Sequence, residues 1–109
     1  MNVTRVACGQ FEAHAADKQY NLKIMSIQIN KAANNGCNII VFPELIVSGY
    51  LPVEQISSQA EQISGSSVSK IRECASSADI AVAFGMVEAD YNGNLYDSMI
   101  VVNSSGNIC

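Results

Sequence analysis

Residues Asn38 to Glu44 read Asn-Ile-Ile-Val-Phe-Pro-Glu, and this stretch decides how the chain folds. Ile39, Ile40, Val41 and Phe42 put apolar side chains on both alternations of an extended segment. A strand that hides both faces belongs inside a parallel sheet. Pro43 cannot donate to a central ladder, so the strand ends there. Glu44 then stands just beyond the C-terminal end of a central strand, where open α/β sheets gather their ligand sites. Beside Phe42, Leu45 and Ile46 its carboxyl is expected to be partly desolvated, which raises a carboxyl pKa and suits a general base. The competing reading is a loop glutamate that faces water or caps the next helix.

Toward the N-terminus, Val3 to Cys8 is apolar and β-branched enough for a first strand. Asp17 is placed to cap a helix that runs to Asn34 or Asn35, with Gly36 as its stop. On a helical wheel Leu22, Met25, Ile29, Ala32 and Ala33 fall on one arc, while Tyr20, Ile24 and Ile27 fall on the other side. Two apolar stripes predict two neighbours: the sheet, and another helix or subunit. Toward the C-terminus, Pro52 can open a helix through about Ile63. Ser66 or Ser67 can cap another, which carries Val68, Ile71, Ala75 and Ala78 at helical spacing. Ile80 to Val87 reads as a strand. Asn92-Gly93 predicts a type I′ hairpin into a return strand from Leu95 to Val102. After a turn at Asn103–Asn107, Ile108 and Cys109 look like the start of one more strand.

The order is β-α-β-α-α-β-β. Two long crossovers imply parallel pairing and the hairpin adds an antiparallel strand, so the fold class is α/β with a mixed sheet. The chain has 109 residues, one small domain's worth, and is 49% hydrophobic with 15% charged residues. Mean hydropathy is +0.16. That composition argues against disorder, and such low charge suggests surface meant to be covered. The net charge of −4 disfavours nucleic acid and anionic membranes as partners, since both need a basic face. No apolar run approaches a membrane span, and the N-terminus lacks a signal-peptide layout, so a cytoplasmic location is expected. Cys8, Cys37, Cys74 and Cys109 form no CxxC pair. They are expected to be reduced, with Cys8, Cys37 and Cys74 acting as small buried hydrophobes. His14 is the single histidine and builds no metal site alone. Gly9 belongs to no GxGxxG loop.

The run Asn38 to Tyr50, NIIVFPELIVSGY, resembles the N-terminal signature of the nitrilase, or carbon–nitrogen hydrolase, superfamily. VACGQF at the opening resembles that family's first strand. Asn21 and Gly36 fit, as do Ile80 to Glu88 and the hairpin Leu95-Tyr96-Asp97-Ser98 followed by Val101, Val102 and Gly106. The resemblance spans essentially the whole chain.

It implies a four-layer αββα sandwich, no cofactor and a Glu-Lys-Cys triad. In that triad the cysteine attacks an amide, carbamoyl or nitrile carbon, the glutamate is general base, and the lysine stabilises the charged intermediate. Only Glu44 carries over, as the catalytic base. Tyr50, close behind it, is a candidate for substrate binding or for simple packing. Cys109 falls in the strand before the family's lysine. Cys37 lies at the far end of the Ile39–Phe42 strand, more than about 10 Å away at roughly 3.3 Å per residue. Asp97 is a departure: the family more often has asparagine there. Residues 1–109 are therefore expected to be the N-terminal part of a larger hydrolase domain, inactive alone, from a protein that forms homo-oligomers. A non-catalytic α/β binding or interaction module is the alternative.

Overall fold

The computed structural model describes residues 2–109. Four strands form one sheet in the order β1-β2-β3-β4: β1 Val6–Cys8, β2 Ile39–Val41, β3 Ala81–Ala89 and β4 Leu95–Val102. The β1–β2 and β2–β3 pairs are parallel and β3–β4 is antiparallel, the mixed α/β arrangement expected. Ile108 bridges back to Val102 and Cys109 N donates to Val101 O at 2.9 Å, so residues 108–109 lie antiparallel to β4.

Helix α1 (Lys18–Asn34) starts where expected, because the Asp17 carboxylate accepts from Tyr20 N at 3.1 Å. Its Met25 and Ile29 pack with Val68, Ile71 and Ala75 of α3 (Ser66–Ala78) over one face of the sheet. Register fixes that face: Ala7, Ile40, Val82 and Val102 lie abreast across the four strands. Phe42, Phe84, Met86 and Ile100 complete the core. Ile71 is fully buried, so Ile71→Ala costs about 2–5 kcal/mol in lost transfer energy and cavity. The opposite face carries Val6, Cys8, Val41, Met99 and Val101, all exposed. Cys8 is thus not a buried hydrophobe, because its parity turns it to the open face; Cys37 and Cys74 are half-buried. The second α1 stripe is only partly covered: Ile24 is half-buried and Ile27 exposed, while Tyr20 stacks on His14 with ring centroids 3.6 Å apart.

Three local expectations fail. The helix opened by Pro52 is one turn, α2 (Val53–Ile56), followed by a 3₁₀ turn at Ser57–Gln59. It stops because the chain becomes extended at Ala60 and Glu61 pairs with β3, through Glu61 N to Val87 O and Ala89 N to Glu61 O. The cap of α3 is neither Ser66 nor Ser67. Gly65 occupies the N-cap, and the Glu61 carboxylate accepts from Ser67 N at 3.1 Å in place of a capping side chain. The hairpin is not type I′: Gly93 has φ +82 but Asn92 does not enter the left-handed region. Asp90 Oδ1 accepts from Asn92 N and Asn94 N, both at 2.9 Å, which holds a turn closed by Gly93 N donating to Asp90 O at 3.1 Å.

Candidate functional site

Glu44 opens the turn that follows β2, at the C-terminal edge of the parallel strands. Two long-range features hold this turn. Gly85 of β3 lies beneath it: a Cβ there would stand 2.7 Å from Glu44 Cα and 2.6 Å from Leu45 N. Only a residue with no side chain lets the loop backbone settle onto the strand. Buried Asn21 of α1 is the second. Its amide donates to His14 O at 2.8 Å and to Val47 O at 2.9 Å, and its Oδ1 accepts from His14 N at 2.8 Å. Leu45 adopts φ +53, a conformation that costs an L-residue about 1–2 kcal/mol. Strain of that size persists where surrounding contacts over-determine the backbone.

The Glu44 carboxyl is exposed. Tyr50, itself 69% exposed, donates its hydroxyl to Glu44 Oε1 at 3.2 Å. Asp97 of β4 brings a second carboxyl within hydrogen-bonding reach. That Asp97 contact pushes Glu44 above the ordinary carboxylate range; the Tyr50 hydroxyl pulls the other way, the Asp97 charge adds to the rise, and burial adds least. The direction agrees with the sequence expectation but the cause does not. Phe42 and Ile46 turn into the core instead of shielding Glu44. Tyr50 is raised in turn, first by donating to Glu44.

A cleft of about 230 Å³ adjoins Glu44, lined by Leu45, Ile56, Val87, Leu95, Tyr96 and Asp97. A larger groove of about 800 Å³ runs along α3 with Lys70, Arg72 and Gly106. Arg72 there is already committed, donating Nε to Gly106 O at 2.6 Å. The small cleft is bordered by Asp97 and by Leu45, next to Glu44, so chemistry favours it over the larger groove. None of the four cysteines is bonded to another.

The carbon–nitrogen hydrolase family model matches residues 5–109. The chain belongs to that family. Among its relatives, an (R)-stereoselective amidase of Pseudomonas sp is 28% identical over 97 residues, covering 89% of this chain and 35% of that protein. An arylacetonitrilase of Hypocrea virens is 30% identical over 118 residues, covering 97% and 35%. The crystal structure of an amidase from Nesterenkonia sp. superposes with a TM-score of 0.86 at 23% identity, over 97% of this chain and 40% of that one. This member of the family therefore has the nitrilase-type α/β fold and spans little more than a third of the length of those relatives. No helix among its described residues is long and apolar enough to cross a membrane.

Sequence reasoning placed Glu44 and Tyr50 near each other, and the geometry joins them. It missed Gly85, whose signal is a lone glycine inside the apolar run Ala81–Val87, a mark of close backbone approach. It noticed Asp97 without foreseeing its contact with Glu44.

Proposed function

We propose that this chain supplies the general base, Glu44, of a cysteine-dependent hydrolase acting on small non-peptide carbon–nitrogen bonds: amides, carbamoyl compounds or nitriles. The observation that carries it is a raised carboxyl at a central strand end, bonded by Tyr50 and seated on Gly85. Amidase and nitrilase relatives support the substrate class. In this reading residues 1–109 are the N-terminal part of one domain, and the lysine and nucleophilic cysteine come from beyond Cys109.

For an amide, the Glu44 carboxylate takes the thiol proton and the sulfur attacks the carbonyl carbon. A thiol at its ordinary pKa of about 8.5 is mostly protonated at neutral pH, so a nearby base speeds this step. The lysine stabilises the tetrahedral oxyanion. Breaking the C–N bond leaves a thioester, and Glu44 returns its proton to the departing nitrogen. Glu44 then deprotonates water, which hydrolyses the thioester to the acid and restores the thiol. Tyr50 orients the carboxylate and borders the substrate position.

The test is ammonia release from small amides and nitriles by the protein encoded by the complete reading frame. Glu44→Gln is expected to lower turnover about 10²–10⁴-fold, the usual share of a general base. The isolated 109 residues are expected to release none. Full turnover by Glu44→Gln contradicts the assignment, and turnover by the isolated chain contradicts its incompleteness.

A further inference from the structure

We propose that Asp97 is a positioning residue for Glu44, the two carboxyls holding one proton between them across the open face of β3 and β4. The backbone alone brings them together. Gly85 faces Met99 across the β3–β4 ladder and Val87 faces Asp97, so Gly85 and Asp97 are diagonal neighbours on one face. Diagonal neighbours stand roughly 7–8 Å apart, and Glu44 Cα occupies the space above Gly85. Two short carboxyl side chains close that gap, which brings the Asp97 carboxyl within reach of Glu44.

Two carboxylates have no donor between them, so this contact requires a proton on one. Among the described residues the Tyr50 hydroxyl offsets this in part, and no cation pairs with either carboxyl. The titratable groups acting on Glu44 are Asp97 from β4 and Tyr50 from its own loop. On β3, Gly85 and Val87 carry no charge, and from α2 it is Ile56 that borders the cleft. The ion pairs among the described residues, Lys18–Glu61 and His14–Asp17, involve neither carboxyl. The other acids of the hairpin face away: Glu88 accepts from Ser98 Oγ at 2.7 Å, and Asp90 accepts from Tyr96 Oη at 3.0 Å, both on the other face. Asparagine at 97 would donate an N–H and hold Glu44 ionised; aspartate does the reverse. Once that proton is lost, the Asp97 charge makes the Glu44 carboxylate a stronger proton acceptor and lifts the acidic limb of hydrolysis, a consequence that rests on the proposed function, whereas the proton sharing does not.

The experiment is a carbon-detected NMR titration of Glu44 Cδ in this chain. The Glu44 carbon is expected to titrate in two steps, as one member of a coupled pair. In Asp97→Asn and Asp97→Ser the Glu44 curve should become single-step with a lower midpoint, and in Tyr50→Phe its midpoint should rise. A single-step wild-type curve, or a Glu44 midpoint unmoved in both Asp97 variants, overturns the proposal. The wild-type curve decides even if a variant misfolds. Because the titration needs no turnover, its failure leaves the reading of Glu44 as base standing, and failure of that reading leaves the titration intact.

Discussion

Glu44 and Glu61 both lean on β3, and their surroundings are opposites. The Glu61 side chain is only 15% exposed, yet it is fully partnered: Lys18 Nζ lies at 2.9 Å and Ser66 and Ser67 donate to it. Burial pushes its carboxyl up, but Ser67 and Lys18 outweigh burial and hold it below the ordinary range. Glu44 is open to water, has one hydroxyl donor and faces a second carboxyl, and it is held above that range. Burial therefore does not decide which way a carboxyl is shifted here. The number of donors and the sign of the neighbouring charge do.

The largest way to break this contrast is at the seat of Glu44. Gly85→Ala puts a methyl into the Glu44 and Leu45 backbone, which cannot rotate aside. Overpacking of this kind costs about 1–3 kcal/mol. A base moved by even ~1 Å can lose on the order of 10²-fold in rate, so thermal melts and ammonia release together should show activity falling further than stability.

Glu61→Gln is the matching test of the other carboxylate. It removes the charge that caps α3 and pairs with Lys18, with an expected loss of roughly 1–3 kcal/mol in denaturant melts and no shift in the Glu44 titration. The folded carboxyl of Glu61 is lowered, so its stabilisation is present above the unfolded value of about 4.3 and is lost as pH falls through the lower folded value. The gap between wild type and Glu61→Gln should close on that acid side.

The smallest effect is expected from Asp97→Asn on stability. Glu44 is raised, so its contribution to folding is full below about pH 4 and is lost as pH rises through the folded value. The variant should melt slightly higher than wild type at neutral pH, with no such gain near pH 3. A variant less stable than wild type at neutral pH would mean that Asp97 makes a favourable contact beyond Glu44.

The contrast also marks how far the sequence could be read. Asn38–Glu44, the Asp17 cap and the β3–β4 hairpin were legible because each is written in a few adjacent residues with a strong local rule. The end of α2 was not, since its cause is Glu61 pairing with a strand more than twenty-five positions later. The type of the hairpin turn was missed because the Asp90 carboxylate, outside the Asn-Gly pair, selects it. For the site, strand-end position pointed to Glu44, but its seat on Gly85 and its contact with Asp97 depend on β3–β4 register, which no local pattern specifies. Burial was the wrong cause for the raised carboxyl because Phe42 and Ile46, adjacent in sequence, turn to the core side.

The central claim is that Glu44 moves the proton, and the pH profile of kcat/KM tests it most directly. For ammonia release from a small amide by the complete protein, Glu44→Gln should lose about 10²–10⁴-fold on the plateau and should lose the acidic limb that wild type shows. A Glu44→Gln protein that keeps both the wild-type rate and the wild-type acidic limb would contradict the account.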